Sequence, residues 1–271
     1  MPRVERAIAE PRSPAMQLDP LDAVPIWVTM LLIATVLIGA GELGFRLGGR
    51  TSPDQKSDQG HVLSAMLALL GLLVGFTFSI AVGRHELRRN LVVDEANAIG
   101  TEYLRTQLTP EPFRARLADA LRRYTDARLG LAAAGEDEAA IVRADNLADS
   151  LQQQMWATTM EAVPAIQPAA VSSLLVAGMN TIIDAASSRR AALEARLPSI
   201  AFGSLVLYAV VAATMLGFVS GSGRNRSRVG AIVMMMLLTL ALGLILDLDR
   251  PRRGTIKVSQ QPLMDLRASM R

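Results

Sequence analysis

Four stretches of this chain stay apolar for long enough to cross a bilayer: Ile26 to Phe45, Val62 to Gly83, Ile200 to Ser220 and Val229 to Leu246. The hydrocarbon core needs about 20 such residues, with a usual range of about 17 to 25, so even the shortest run qualifies. Lipid offers no partner to an open backbone N–H or C=O, and each run is therefore predicted to be a helix. The first is read as a retained span, because GAGELGFRLGG at its end is a weak match to a signal cleavage site.

Between the second and third spans the pattern changes to apolar positions recurring every three or four residues. TPEPF, 109 to 113, predicts a helix start with Thr109 as cap and Pro110 at the first helical position. Phe113, Leu117, Leu121 and Tyr124 then form one stripe. AAAGEDE, 132 to 138, is a turn, and Ile141, Ala144, Ala148, Leu151 and Met155 mark the next helix. VPAIQP, 163 to 168, ends it, and a last helix from about 169 to 197 runs into Pro198. No segment alternates with period two. The expected fold is an all-α membrane protein: four transmembrane helices with a helical-bundle domain inserted between spans two and three. The expected division is a flexible segment 1–23, spans one and two over 24–83, the bundle over 84–197, spans three and four over 198–248, and a C-terminal juxtamembrane segment 249–271.

No helix breaker separates Val62 from Leu108, so the second span is predicted to continue out of the membrane as one helix of about 70 Å, at 1.5 Å per residue. Its outer part, LVVDEANAIGTEYLR at 91 to 105, puts Val92, Ala96, Ile99 and Tyr103 on one face and Asp94, Asn97, Thr101 and Arg105 on the other. Glu95 and Glu102 flank the apolar face on the side of Arg84 and Arg88. Carboxylates at the edge of a packed face need partners. The natural source is the returning helix, since both are pinned at the membrane, at Gly83 and Pro198. An antiparallel pair of equal rise brings Arg88 to Glu194, Glu95 to Arg189 or Arg190, and Glu102 towards Asn180. The same carboxylates could instead coordinate an ion; structural pairing is the commoner use.

Within the second span, Gly71, Gly75, Ser79 and Gly83 recur every four residues and form a groove for close helix approach. Beside it run Leu72, Phe76 and Ile80, bulky enough for a hydrophobic constriction that gates by dewetting, or simply for lipid or a neighbouring span. Glu42 and Arg46 read as a pair at the membrane edge, and Tyr208 should turn its hydroxyl inward. Asp247 and Asp249 close the fourth span against the helix dipole, which calls for nearby arginines or, alternatively, a carboxylate ring at a pore mouth or a cation site.

Composition removes several classes of function. Cysteine is absent, which excludes disulfides, thiolate metal sites and a Cys nucleophile. The two histidines, His61 and His85, stand apart from any motif, and nothing resembles a phosphate loop or nucleophile elbow, so no enzyme, catalytic residue, metal or cofactor is expected. Residues 84–197 hold 13 Arg against 15 Asp or Glu, a balance that speaks against nucleic acid. The short loops 46–61 and 221–228 carry Arg46, Arg50, Lys56, Arg224, Arg226 and Arg228, which puts them in the cytoplasm and the helical domain outside.

EANAIGTEYLR, 95 to 105, and DLDRPRRGTIKVSQQPL, 247 to 263, resemble the signatures of the bestrophin-like domain family of bacterial membrane proteins, over most of the chain from about residue 24. Bestrophins themselves are pentameric ion channels of four-span subunits, with a helical domain between spans two and three and a second span lining an apolar neck. The resemblance thus implies a multi-pass protein of the bacterial inner membrane and a homo-oligomeric ion channel, with Leu72, Phe76 and Ile80 at the neck. Two departures stand out. Only Asp247 and Asp249 occupy the place of the dense acidic calcium clasp, and bestrophins keep the large domain in the cytoplasm. The alternative is a non-conducting sensor or scaffold whose helical domain binds a partner.

Overall fold

The computed structural model describes residues 24–49, 56–222 and 228–270; the segment 1–23 lies outside them. The described residues form eight α-helices in chain order and no strand: α1 Ile26–Gly48, α2 Lys56–Arg105, α3 Phe113–Ala133, α4 Glu138–Ala162, α5 Ala169–Glu194, α6 Ser199–Ser222, α7 Val229–Asp249 and α8 Gln261–Ser269. α1, the first part of α2, α6 and α7 are the four helices long and apolar enough to cross a membrane. α3, α4, α5, α8 and the outer part of α2 make the bundle.

The membrane part closes around α1 and α6, which approach backbone to backbone. A Cβ on Gly44 would overlap the Thr214 carbonyl, one on Gly48 the Phe218 carbonyl, and one on Gly217 the Gly41 carbonyl. Small residues matter here because lipid tails are as apolar as the helices, leaving close contact as the main attraction. Gly44→Leu is expected to cost about 3 kcal/mol by forcing the pair apart, read as a lower midpoint in detergent-induced unfolding. Met235 sits against Gly41 and Met30 against Gly243, filling the space the glycines leave. Of the consecutive methionines, only Met235 is buried.

α2 is unbroken for 50 residues, about 75 Å. In the bundle, Val92, Ala96 and Ile99 are buried against Leu117, Leu121 and Tyr124 of α3, Leu151 and Met155 of α4, and Met179 and Ile182 of α5. The turn between α3 and α4 places Gly135 at positive φ, and Asp137 caps α4 by accepting the Ala140 N–H at 3.0 Å. The predicted start of α3 needs correction. Thr109 closes a 3₁₀ turn, with its hydroxyl on the Thr106 carbonyl at 2.5 Å, and α3 begins at Phe113, after Pro112.

The C-terminal segment does not stay at the membrane edge. It reverses after α7 and lays α8 on α2 and α3, burying Leu263 and Met270 in the bundle core. Arg122 donates to the Met270 carbonyl at 3.0 Å, and Arg267 pairs with Asp126 at 2.6 Å.

Candidate functional site

Where the bundle meets the membrane, α2, the end of α5 and the end of α7 converge on Arg88, which is 3% exposed. Its Nε donates to the Ala192 carbonyl at 3.0 Å, Nη2 to the Ala195 carbonyl at 2.9 Å and Nη1 to the Leu248 carbonyl at 3.0 Å. The last carbonyls of a helix have no partner within it, and a cation complements the dipole there. One guanidinium therefore closes two helix ends. The predicted partner, Glu194, is exposed instead: the register is right to within a turn, but the orphan carbonyls, which a charge pattern does not display, lie nearer the guanidinium.

The carboxylates of α7 are held the same way. Asp249 accepts the Leu197 N–H at 3.0 Å, with Arg84 at 3.6 Å, so the link from α5 to α6 is gripped by Arg88 on one side and Asp249 on the other. Asp247 accepts from the Thr255 N–H and hydroxyl, both at 2.7 Å, and from the Ile256 N–H at 3.1 Å. It organises the reversal that sends the chain to α8. Gly254 is required inside that turn, because a Cβ would overlap the Asp247 carbonyl. Among the described residues, no group of three or more acidic or histidine side chains could hold a metal ion.

About two turns further from the membrane lies a second centre. Glu95 is fully buried and accepts from Arg189, from Arg128 Nη2 at 3.2 Å and from the Tyr124 hydroxyl at 3.2 Å, with Arg128 Nε in ion-pair contact at 2.6 Å. Gln152 donates to that hydroxyl at 3.0 Å, and Arg189 also reaches Gln260. Burial opposes the charge on Glu95, but the two guanidiniums outweigh it and hold the carboxyl below its usual range. Burial pushes the Tyr124 phenol up, which keeps it a neutral donor. Arg190 faces outward and pairs with Asp145 at 2.6 Å and Asp149 at 3.3 Å. The pairing of α2 with α5 thus brings Glu95 to Arg189, while Glu102 lies against Gly178, two residues short of Asn180. Arg128 escaped the sequence reading although a signal existed: it continues the apolar stripe Leu117, Leu121, Tyr124 with a charge.

In the membrane, α2 is the least buried of the four spans. Leu70, Val74 and Ala81 face the other helices. Leu72, Phe76 and Ile80 lie about 140° round the helix from that face, and are 52%, 62% and 51% exposed. The groove of Gly71, Gly75, Ser79 and Gly83 is exposed beside them, and a Cβ on any of its three glycines would meet nothing within 4 Å. Both rows are therefore uncovered within one subunit. Two cavities among the membrane helices, of about 390 and 280 Å³, are lined almost wholly by apolar side chains and offer an ion no charged partner. At the far membrane edge Glu42 pairs with Arg46 at 3.0 Å and Arg228 at 3.4 Å, and the Tyr208 hydroxyl donates inward to the Met66 carbonyl at 3.4 Å.

A family model described as a bestrophin-like domain matches residues 30–263. No curated protein matches the chain. Two crystal structures of single-residue variants of a bacterial bestrophin homologue from Klebsiella pneumoniae share the fold. One superposes with a TM-score of 0.68 at 11% identity, covering 90% of this chain and 98% of the other. The second gives 0.65 at 13% identity, covering 89% and 100%.

Proposed function

Because the chain belongs to the bestrophin-like family, we propose that it associates with copies of itself in the cell membrane to form an ion channel constricted at Leu72, Phe76 and Ile80. The observation that carries this reading is the uncovered side of α2: a row of small residues next to a row of bulky ones, both turned away from the subunit's own helices. Around a central axis, the small row admits the neighbouring subunit closely and the bulky row faces the middle, where an apolar ring excludes water until it widens. The two cavities among the described membrane helices are apolar and give an ion no polar path, which is why association is part of the proposal. The absence of charge between Val62 and Gly83 favours the second reading, a non-conducting sensor or scaffold.

The test is ion flux into liposomes holding the purified protein, comparing wild type with Phe76→Ala. Removing the ring is expected to raise flux several-fold by relieving the constriction. Silence in both, with folded protein and across ions, voltages and pH, favours the sensor or scaffold. The basic short loops support an external bundle. In intact cells, an impermeant maleimide is then expected to label Ala133→Cys but not Ser222→Cys; the reverse pattern would put the bundle in the cytoplasm.

A further inference from the structure

Two turns beyond Glu95, α2 carries a second buried carboxyl that is far less well served. Glu102 is 1% exposed. Among the described residues its Oε2 receives only Arg105, at 3.4 Å from the next turn of the same helix, and that guanidinium also donates to the Leu174 carbonyl at 3.2 Å. Its Oε1 is buried without a hydrogen-bond partner. Across from it, α5 presents Gly178, and a Cβ there would overlap Oε2, so the carboxyl occupies the slot that this glycine leaves.

Charged groups on the surrounding elements are engaged elsewhere. On α5, Asp184 is exposed, Arg189 is on Glu95 and Arg190 on Asp145. On α3, Arg122 holds the Tyr103 hydroxyl and Arg128 holds Glu95. On α8, Arg267 pairs with Asp126 and Asp265 accepts from Gln261. Arg105 alone offsets burial, and burial pushes the Glu102 carboxyl up to about 7.

We propose that Glu102 is a proton-binding site that sets how closely α5 docks on α2. With the proton bound, a neutral carboxyl fits the Gly178 slot. Ionised, it requires partners for both oxygens, which the slot does not supply, and the helix pair loosens to admit water. This inference concerns the bundle and holds whether or not the protein conducts.

The experiment is an infrared titration of the purified full-length protein between pH 6 and 8, with amide hydrogen exchange of α5 corrected for intrinsic rates. Wild type is expected to lose a protonated-carboxyl band over that range, and Glu102→Gln to lack that change. Exchange protection around Gly178 is expected to fall in wild type as pH rises towards the midpoint, by up to about tenfold per pH unit, the limit for one proton, to level off above it, and to stay flat throughout in the variant. Arg105→Gln, which alters a half-exposed side chain, should move the midpoint upward, and serves if Glu102→Gln does not fold. No band at pH 6, an unmoved midpoint in Arg105→Gln, or equal loss of α5 protection in Glu102→Gln would each overturn the proposal. A titrating band with constant α5 protection would overturn the coupling.

Discussion

Arg88→Gln is expected to destabilise the protein by about 3–5 kcal/mol, because each buried carbonyl left without a donor costs roughly 1–3 kcal/mol and the guanidinium serves three. Arg88→Lys should recover less than half of the loss. A single ammonium on a flexible stem cannot reach the ends of α5 and α7 together, whereas the planar fork of arginine does so without further ordering. The loss is read by thermal unfolding in detergent, followed through Trp156 in a Trp27→Phe background. Trp156 is packed on the bundle core and Trp27 is exposed at the start of α1. A change below about 1 kcal/mol would mean that water replaces the guanidinium at these carbonyls, as at exposed helix ends.

Glu95→Ala is the second large effect, at about 3–5 kcal/mol, since it strands Arg128 and Arg189 in the core with no counter-charge. Removing all three charges together, as Glu95→Leu with Arg128→Leu and Arg189→Met, should cost much less than the sum of the single changes. The guanidiniums share one carboxylate and their effects cannot add. The pH dependence follows from the depressed carboxyl. The stability Glu95 contributes is present above its unfolded value of 4.5 and is lost as pH falls through the lower folded value. The acid limb of the stability profile should therefore flatten in Glu95→Gln. An unchanged limb would assign it to other carboxylates.

The four spans, the helical bundle and the long α2 were legible because each is a matter of run length or of period, and these are local properties of a chain. The pairing of Glu95 with Arg189 was legible for a further reason: two helices anchored at one plane and rising equally leave little freedom of register. What escaped depends on atoms without a one-letter symbol. Arg88 binds carbonyls and Asp247 binds N–H groups and a hydroxyl, which charge matching does not display. Asp249 keeps the Arg84 that charge matching offers and adds the Leu197 N–H. The small-residue rows show the same limit. Gly71, Gly75 and Gly83 look like a packing groove, yet a Cβ on any of them would meet nothing within 4 Å, while Gly44 and Gly48 of α1 make the close contact with α6. Spacing alone does not say which glycine meets a helix. The α8 docking was hidden because a nine-residue amphipathic stretch has too few turns to declare its apolar face.

The continuity of α2 has a mechanical consequence. With no proline or other break between Val62 and Arg105, the helix runs as one beam from the bundle into the membrane span. A tilt of it would pivot at Arg88, where it is tied to the ends of α5 and α7. Phe76 lies twelve residues from that pivot, about 18 Å along the axis. A rocking of 5° at the bundle end would sweep Phe76 sideways by about 1.6 Å, the scale of a carbon–carbon bond, with no backbone dihedral altered. Angular play outside the bilayer would thereby reach its interior as translation, coupling the travel of the two ends.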